Sequence, residues 1–506
     1  MAEPEQMHVD VDGTVGADVT ADVDVVVIGL GVGGEETANR LAAAGLSVVG
    51  IEHRLVGGEC PFWGCVPSKI MIRAGNALAE ARRVDHLAGR AQVEPDWTTV
   101  AKRIREEATA GWTDDAGAER FTSKGGRLVR GTGTLAGPGL VQVGNEVYRA
   151  RVGVVLGTGT TPVIPPVPGL AGTPYWTNRE AMELAELPES LVVLGGGAIG
   201  VELAQVFARF GVRVSVVEGG ARVLALEEPE SSERVAAALR ADGVTVHTGA
   251  HAERVEHDGT GFTVHLAGGD RFRGERLLVA TGRRAVLETL GLETVGLDPT
   301  KRFLETDDRM RAADGIWAVG DLTGHGAFTH MAMYQAGIAI DDILRRAGIG
   351  TGPDGAGPAG GGGVGGVGVG GGVDGGGLDG GGGRRADYRA LPRVTFTDPE
   401  VGAVGLTERQ ARDRGLNVRV GFTLLSDSTR GWIHEVGDEG FIKLVGDADR
   451  GVLVGATSAG PVGGEVLSAL VVAVHAEVPV TTLTGMIYAY PTFHRAIETA
   501  VRGLLQ

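Results

Sequence analysis

The chain has 506 residues, 43% of them hydrophobic and 5% aromatic, and a formal net charge of −17. That length predicts two to three domains with sizeable cores. The acidic balance, with no Lys/Arg block, excludes nucleic acid and anionic membranes as expected partners, and no apolar run reaches the roughly 18 residues of a membrane span.

Residues 1–21 are acidic, with neither a cationic start nor an apolar centre, and read as a disordered tail rather than a signal peptide. Residues 24–28 form a continuous apolar strand of the kind buried in a parallel sheet. The strand runs into Gly29-Leu30-Gly31-Val32-Gly33-Gly34 and then a helical stretch, 35–45. Gly29 allows the tight turn, Gly31 lets a pyrophosphate approach the backbone, and Gly34 lets helix and strand pack closely. A second strand, 47–51, ends at Glu52, where a carboxylate can hold ribose hydroxyls. Among 86 glycines a lone pattern would say little, but here strand, helix and acid are in register.

The only two cysteines, Cys60 and Cys65, stand in Gly58-Glu59-Cys60-Pro61-Phe62-Trp63-Gly64-Cys65-Val66-Pro67-Ser68-Lys69. A regular α-helix would put their Cα atoms about 8–9 Å apart, beyond the limit of about 7 Å for a disulfide. A bridge needs an irregular first turn, for which Pro61 and Gly64 are suited. Two buried apolar thiols are the bland alternative. No metal is expected, because two thiolates with no nearby His are too few ligands. A redox dithiol in a chain with no other cysteine suits a reducing cytoplasm.

The strand–turn–helix unit then recurs. Residues 191–194 lead into Gly195-Gly196-Gly197-Ala198-Ile199-Gly200 and a helix to Phe210, and the strand 212–217 ends at Glu218, 18 residues beyond Gly200. Two such units imply two dinucleotides, with a dithiol between them in sequence. The economical reading is a flavin relay, in which a nicotinamide gives hydride to FAD and two electrons pass on to the disulfide. Glu218 would accept the ribose hydroxyls and repel a 2′-phosphate, so NAD(H) is expected over NADP(H); Arg222 lies close enough in sequence to offset part of that charge. Further on, glycine fills 21 of the 34 positions 350–383. Such a stretch buries too little apolar surface to offset its ordering entropy, so 350–384 is expected to be a flexible linker.

From about residue 24 to the C-terminus, apart from that insertion, the chain resembles the class I pyridine nucleotide–disulfide oxidoreductases. This group includes dihydrolipoamide dehydrogenase, glutathione reductase and mercuric reductase. Gly57-Gly58-Glu59-Cys60 through Cys65-Val66-Pro67-Ser68-Lys69 is close to the family signature. Gly157-Thr158-Gly159, Ala280-Thr281-Gly282-Arg283 and Ile316-Trp317-Ala318-Val319-Gly320-Asp321 match it further. The resemblance implies an α/β fold with two Rossmann-like dinucleotide-binding domains, for FAD and NAD, plus an α+β C-terminal dimerisation domain. The expected boundaries are FAD-binding 22–186, NAD(P)-binding 187–283, a return to the FAD-binding and central region 284–349, and the C-terminal domain 385–506.

The same resemblance implies a homodimer, a part in cell redox homeostasis, and further site residues. Gly159, Gly320 and Asp321 would lie at FAD, Asp321 on its ribityl chain, and Gly282 at NAD. Lys69 would pair with Glu202 beside the flavin, where an ammonium stabilises negative charge developing on reduction; an ordinary ion pair is the alternative. Cys65 would be the charge-transfer thiol facing the flavin, and Cys60 the interchange thiol facing substrate.

The C-terminal segment departs from the family pattern. Disulfide reductases of this family carry His-Pro followed by a Glu, contributed by the partner subunit as a base and its orienter, matched to a pKa near 7. Here the run is Tyr488-Ala489-Tyr490-Pro491-Thr492-Phe493-His494-Arg495, with Tyr490 at the His position and Arg495 at the Glu position. A phenol with a pKa of about 10 is a poor base at neutral pH. If this stretch is helical, Tyr490, His494 and Glu498 share a face, and His494 with Glu498 could form a displaced dyad. Otherwise His494 is a surface or interface residue, or the acceptor is a metal ion, a quinone or another species that needs no thiol base. Mercuric reductases of this family also lack the His but typically end in a vicinal cysteine pair, and this chain has no cysteines to spare for one.

Three readings follow. One is an FAD-dependent NAD(P)H oxidoreductase with a working Cys60–Cys65 disulfide and an unassigned small-molecule electron acceptor. A second is a dihydrolipoamide dehydrogenase, which Tyr490 and Arg495 weaken. A third is a nucleotide-binding flavoprotein sensor or partner subunit with little turnover, against which Cys60, Cys65, Lys69 and Glu202 speak.

Overall fold

The computed structural model describes residues 19–349, 377–378 and 383–506. The tail expected at 1–21, up to residue 18, and the linker expected at 350–384, apart from 377–378 and 383–384, lie outside the described residues. By packing, the chain divides into two units. One comprises Met1–Phe62, Ala110–Thr161 and Arg283–Asp387, the other Trp63–Thr109, Pro162–Gly282 and Tyr388–Gln506. This division cuts across the sequence boundary expected at 186, because residues 63–109 and 162–186 pack with the second unit.

The first unit is built on a sheet whose central strands are parallel. The order is Arg311–Ala313, Ile316–Ala318, Glu146–Leu156, Ala21–Ile28, Val48–Glu52, Arg127–Arg130, and only the first pair is antiparallel. Val25, Val26 and Val27 are fully buried, as an apolar run covered on both faces requires. The helix Val32–Ala43 follows the central strand and packs against the helix Thr329–Arg346.

The second unit contains a parallel sheet in the order Thr245–His247, Arg213–Val217, Ser190–Leu194, Arg276–Val279. Its first connection passes through the helix Ala198–Arg209, which lies against the long helix Cys65–Leu87. A five-stranded antiparallel sheet forms the C-terminal part, in the order Pro392–Thr395, Glu400–Gly405, Val452–Gly460, Phe441–Asp447, Val418–Leu424. Helices Gly463–His475 and Ala496–Gly503 cover it around Leu444, Ala456, Leu467 and Ile497. No helix among the described residues is long and apolar enough to cross a membrane.

Candidate active site

In the first unit the glycine loop is shaped by close approach. Gly29 has φ +87°, and a Cβ there would lie 2.7 Å from the Gly157 carbonyl oxygen, so this strand end meets the Gly157-Thr158-Gly159 loop as only glycine can. A Cβ on Gly34 would lie 1.9 Å from the Gly29 carbonyl oxygen, whereas one on Gly31 would meet only the Gly157 oxygen at 3.8 Å. Gly31 caps the helix without any side-chain acceptor, so the first N–H groups of Val32–Ala43 are available to an anion. This uncapped terminus, with no atom nearer than 3.8 Å to where a Gly31 Cβ would stand, fits a pyrophosphate.

Glu52, expected at ribose hydroxyls, is bonded here to the backbone of the glycine loop. One carboxylate oxygen accepts the Leu30 N–H and the other the Arg54 N–H, each at 2.8 Å, so the acid ties down the glycine loop itself. Gly320 gives its N–H to Gln335 Oε1 at 2.7 Å, and Asp321 accepts from the Thr160 hydroxyl at 2.8 Å. Arg283 donates to the same Thr160 hydroxyl at 2.8 Å. Burial pushes the Asp321 carboxyl upward, against the Thr160 hydrogen bond and the Arg283 charge.

The second unit repeats this construction. A Cβ on Gly195 would lie 2.3 Å from the Ala280 carbonyl oxygen, and one on Gly200 would lie 2.1 Å from that of Gly195. Gly197 caps the helix Ala198–Arg209, again with no side-chain acceptor. Glu218 accepts the N–H of Gly196 and that of Gly220. Gly282, expected at the nicotinamide nucleotide, gives its carbonyl to the Val163 N–H at 2.9 Å. A cavity of about 360 Å³ opens beside Gly195 and Glu218, walled by Pro165, Val167, Ala250 and His251. Arg222 is engaged with the Ser232 hydroxyl at 2.5 Å and the Ala225 carbonyl at 3.0 Å.

The cysteine turn is a short helix, Glu59–Trp63, broken at Gly64 and restarted as Cys65–Leu87. Cys60 is half-buried and Cys65 exposed. Cys65 begins a helix of 23 residues whose N-cap, Gly64, offers no side chain, so its sulfur sits at the positive end of the helix dipole. Lys69 follows one turn later on the same face. Its Nζ lies 2.9 Å from Glu202 Oε2, with Glu202 buried on the facing helix.

Sequence reasoning gave no role to the segment Phe396-Thr397-Asp398. The Phe396 N–H donates to Glu202 Oε1 at 2.8 Å, and its ring centroid lies 4.5 Å from Lys69 Nζ. The Asp398 N–H donates to Gln205 Oε1 at 2.8 Å, while its carboxylate accepts from Arg209 at 2.8 Å and Arg83 at 2.7 Å. Glu202, Gln205 and Arg209 are one stripe of one helix; Lys69, Asn76 and Arg83, seven apart, are one stripe of the other. That spacing is the signal that could have found the network.

The C-terminal segment is not the helix that would align Tyr490, His494 and Glu498. Tyr490 lies in a turn, His494 on the short 3₁₀ segment Phe493–Arg495, and the α-helix begins only at Ala496. The cause is local: Pro491 has no N–H to give, and the residue before a proline is driven away from helical geometry. Tyr490 is 65% exposed, its hydroxyl 3.3 Å from Thr429 Oγ1 and its ring 5.6 Å from the Arg495 guanidinium. Glu498 is taken by Arg502 at 2.8 Å and Arg495 at 3.1 Å, which hold its carboxyl below the usual range. The carboxylate that a displaced dyad needs thus serves two arginines. Among the described residues no group of three or more His, Cys, Asp or Glu side chains could hold a metal ion.

Comparison with known proteins gives the family. The family model described as pyridine nucleotide-disulphide oxidoreductase matches residues 23–336, and its dimerisation domain matches residues 391–501. The chain belongs to this family. It is 33% identical to a mercuric reductase from Streptomyces lividans over 95% of both chains. It is 31% identical to a dihydrolipoyl dehydrogenase from Chlorobaculum tepidum, covering 96% of this chain and 98% of that one. Among solved structures it resembles the HOCl-induced flavoprotein disulfide reductase RclA from Escherichia coli in its Cu(II) complex. That likeness has a TM-score of 0.77 and 25% identity, covering 96% of this chain and 99% of that one. The family assignment makes this protein an FAD-dependent oxidoreductase that uses a pyridine nucleotide, with an α/β architecture and a C-terminal dimerisation domain.

Proposed function

We propose that the protein oxidises NADH and passes two electrons through FAD and the Cys60/Cys65 dithiol to a small-molecule acceptor other than a disulfide. The observation that carries this reading is the helix Cys65–Leu87, which presents a thiol at its N-terminus and, one turn on, an ammonium paired to a buried carboxylate at 2.9 Å. When bound, FAD supplies hydride acceptance from the nicotinamide and its division into single or paired electrons. Gly29, Gly31, Gly34, Glu52, Gly159, Gly320 and Asp321 would hold it, and Gly195, Gly197, Gly200, Glu218 and Gly282 would hold NADH.

The residues contribute in distinct ways. The helix dipole at Cys65 favours its thiolate, the reactive form of the sulfur. The Lys69 ammonium offers positive charge where negative charge develops, and Glu202 orients it. Glu218 carries the preference for NADH, since its charge opposes a 2′-phosphate while Arg222 is engaged elsewhere. By the family resemblance Tyr490 and Arg495 take the sequence positions of a disulfide reductase's base and its orienter, and neither a phenol nor a guanidinium is a general base of the kind a thiol needs. This argues against a dihydrolipoamide dehydrogenase, although relatives bear that name. A homodimer formed through 391–501, working in the cytoplasm, completes the reading.

Anaerobic titration of the FAD-loaded enzyme with NADH tests it, followed by acceptor assays. A long-wavelength thiolate–flavin band and turnover with quinones or dyes are expected. Absence of the band would defeat the dithiol role; lipoamide turnover at ordinary enzyme rates would return the dihydrolipoamide dehydrogenase; a band with no acceptor turned over would point to a sensor.

A further inference from the structure

Lysine is a poor instrument for placing a charge, because four methylenes give it many rotamers and its compact ammonium prefers water. Lys69 is half-buried, and two contacts constrain it. Glu202 Oε2 accepts from its Nζ at 2.9 Å, and the Phe396 ring lies against the ammonium with its centroid 4.5 Å away. The same residue fixes the carboxylate, since the Phe396 N–H donates to Glu202 Oε1 at 2.8 Å. With one oxygen committed to each partner, the Glu202 carboxylate cannot turn without breaking a hydrogen bond.

Phe396 is itself held in place. Asp398, two residues on, is anchored by Gln205, whose Oε1 accepts its N–H and whose Nε2 donates to its carbonyl, both at 2.8 Å. Its carboxylate is gripped by Arg209 and Arg83 at 2.8 and 2.7 Å. The helix that carries Glu202 therefore also anchors, through Gln205 and Arg209, the segment that orients Glu202. A spacer would need only to fill volume; Phe396 instead touches both members of the ion pair, one with its backbone and one with its ring face.

We propose that Phe396 is the positioning residue of the Lys69–Glu202 pair, its ring holding the ammonium in the place from which it raises the reduction potential of the bound flavin. This rests on the reading that Lys69 serves the flavin, and the experiment separates the two. The two-electron potential of bound FAD is measured by equilibration with a reference dye, in a Cys60→Ser/Cys65→Ser background so that the flavin is the sole two-electron couple. Phe396→Leu should shift the equilibrium about three- to tenfold toward oxidised flavin, the range expected for loss of one cation–π contact. Tenfold corresponds to about 30 mV for a two-electron couple. Phe396→Tyr should behave as the parent.

Lys69→Met should lower the potential at least as far, and adding Phe396→Leu to it should produce no further fall, because the ring acts through the ammonium. If Phe396→Leu fails to retain FAD, trifluorophenylalanine at position 396 keeps the shape and weakens the ring's negative face, and should give the same shift. An unchanged potential in the position-396 variants beside a lowered one in Lys69→Met overturns the proposal and leaves the role of Lys69 standing. An equal fall from Phe396→Leu with and without Lys69 also overturns it. An unchanged potential in Lys69→Met removes the underlying reading, and the proposal with it.

Discussion

Lys443 is a buried cation surrounded by three acids, and its removal has a cost that the structure bounds. It lies on the strand Phe441–Asp447 with its side chain 4% exposed. Its Nζ is 3.1 Å from Glu228, 2.8 Å from Glu230 and 3.0 Å from Glu408. Burial alone would push its pKa down, but the hydrogen bonds to Glu230 and Glu408 and the charge of Glu228 outweigh that and hold it above the ordinary lysine value. Glu228, 3% exposed, has one other donor, the Glu408 N–H at 2.7 Å. Lys443→Met therefore strands a buried carboxylate, for which the usual penalty is about 3–5 kcal/mol. Glu230 and Glu408 are about a third exposed and screened by solvent, and add little. We expect about 3 kcal/mol, the lower end, because Glu228 keeps its backbone donor.

The assay is guanidinium unfolding of the holoenzyme at pH 7, followed by tryptophan fluorescence, with the midpoint compared at a common slope. Adding Glu228→Gln should recover more than half of the loss, since the stranded charge is gone. The pH dependence has a definite sign. A raised lysine pKa means its contribution is fully present below the unfolded value of about 10.4 and fades only as pH climbs through the folded one. The penalty should thus be flat from pH 6 to 9 and shrink in acid as the carboxylates protonate. A midpoint for Lys443→Met within experimental error of the parent, or no recovery in the double variant, would refute the reasoning.

Other predictions concern the chemistry. Cys65→Ser should retain FAD and lose the long-wavelength band on two-electron reduction, while Cys60→Ser should show that band even when oxidised; parental spectra and turnover in both would make the cysteines structural. The parent should have a higher kcat/KM with NADH than with NADPH. Glu218→Gln should narrow the gap by at least about fivefold, as removal of one like charge worth about 1–4 kcal/mol between water and a protein surface implies, and an unchanged ratio would count against a role for its charge. Tyr490→His with Arg495→Glu should raise disulfide reductase activity at least about tenfold, since a general base contributes about 10²–10⁴-fold and only part of that need be recovered. If the parent already reduces lipoamide briskly and His494→Ala abolishes this, the base lies at His494 after all.

The parts of this fold that were legible are those written locally. Apolar strands, glycine loops and the acids at strand ends lie within about 25 residues of one another, so Gly29–Glu52 and Gly195–Glu218 could be placed by spacing alone. What the acids do was less legible. Glu52 and Glu218 bind the N–H groups of Leu30 and Gly196, and a loop's backbone donors leave no mark in composition. The Phe396–Asp398 network joins residues nearly 200 positions apart; helical spacing marks its two helix stripes, but nothing in the sequence ties Phe396 and Asp398 to them. At the C-terminus the four-residue spacing of Tyr490, His494 and Glu498 suggested one face of a helix, but Pro491 prevents it and two arginines claim the acid.

The coenzyme role proposed for Glu218, set beside its bonds to the glycine loop, bears on any effort to redesign coenzyme choice. The usual tactic is to replace the acid at the end of this strand with a small or basic residue to admit a phosphorylated ribose. Here that exchange would also release the Gly196 and Gly220 amides, and with them the curvature of the loop that must receive either coenzyme. Affinity would then fall for both nucleotides at once, and a screen that scores only the phosphorylated one would record a failed specificity change where the charge argument was sound. Glu218→Gln keeps the length but accepts only through Oε1 and so holds one of the two amides, which makes the cavity wall at His251 a better place to rebuild selectivity than the acid itself.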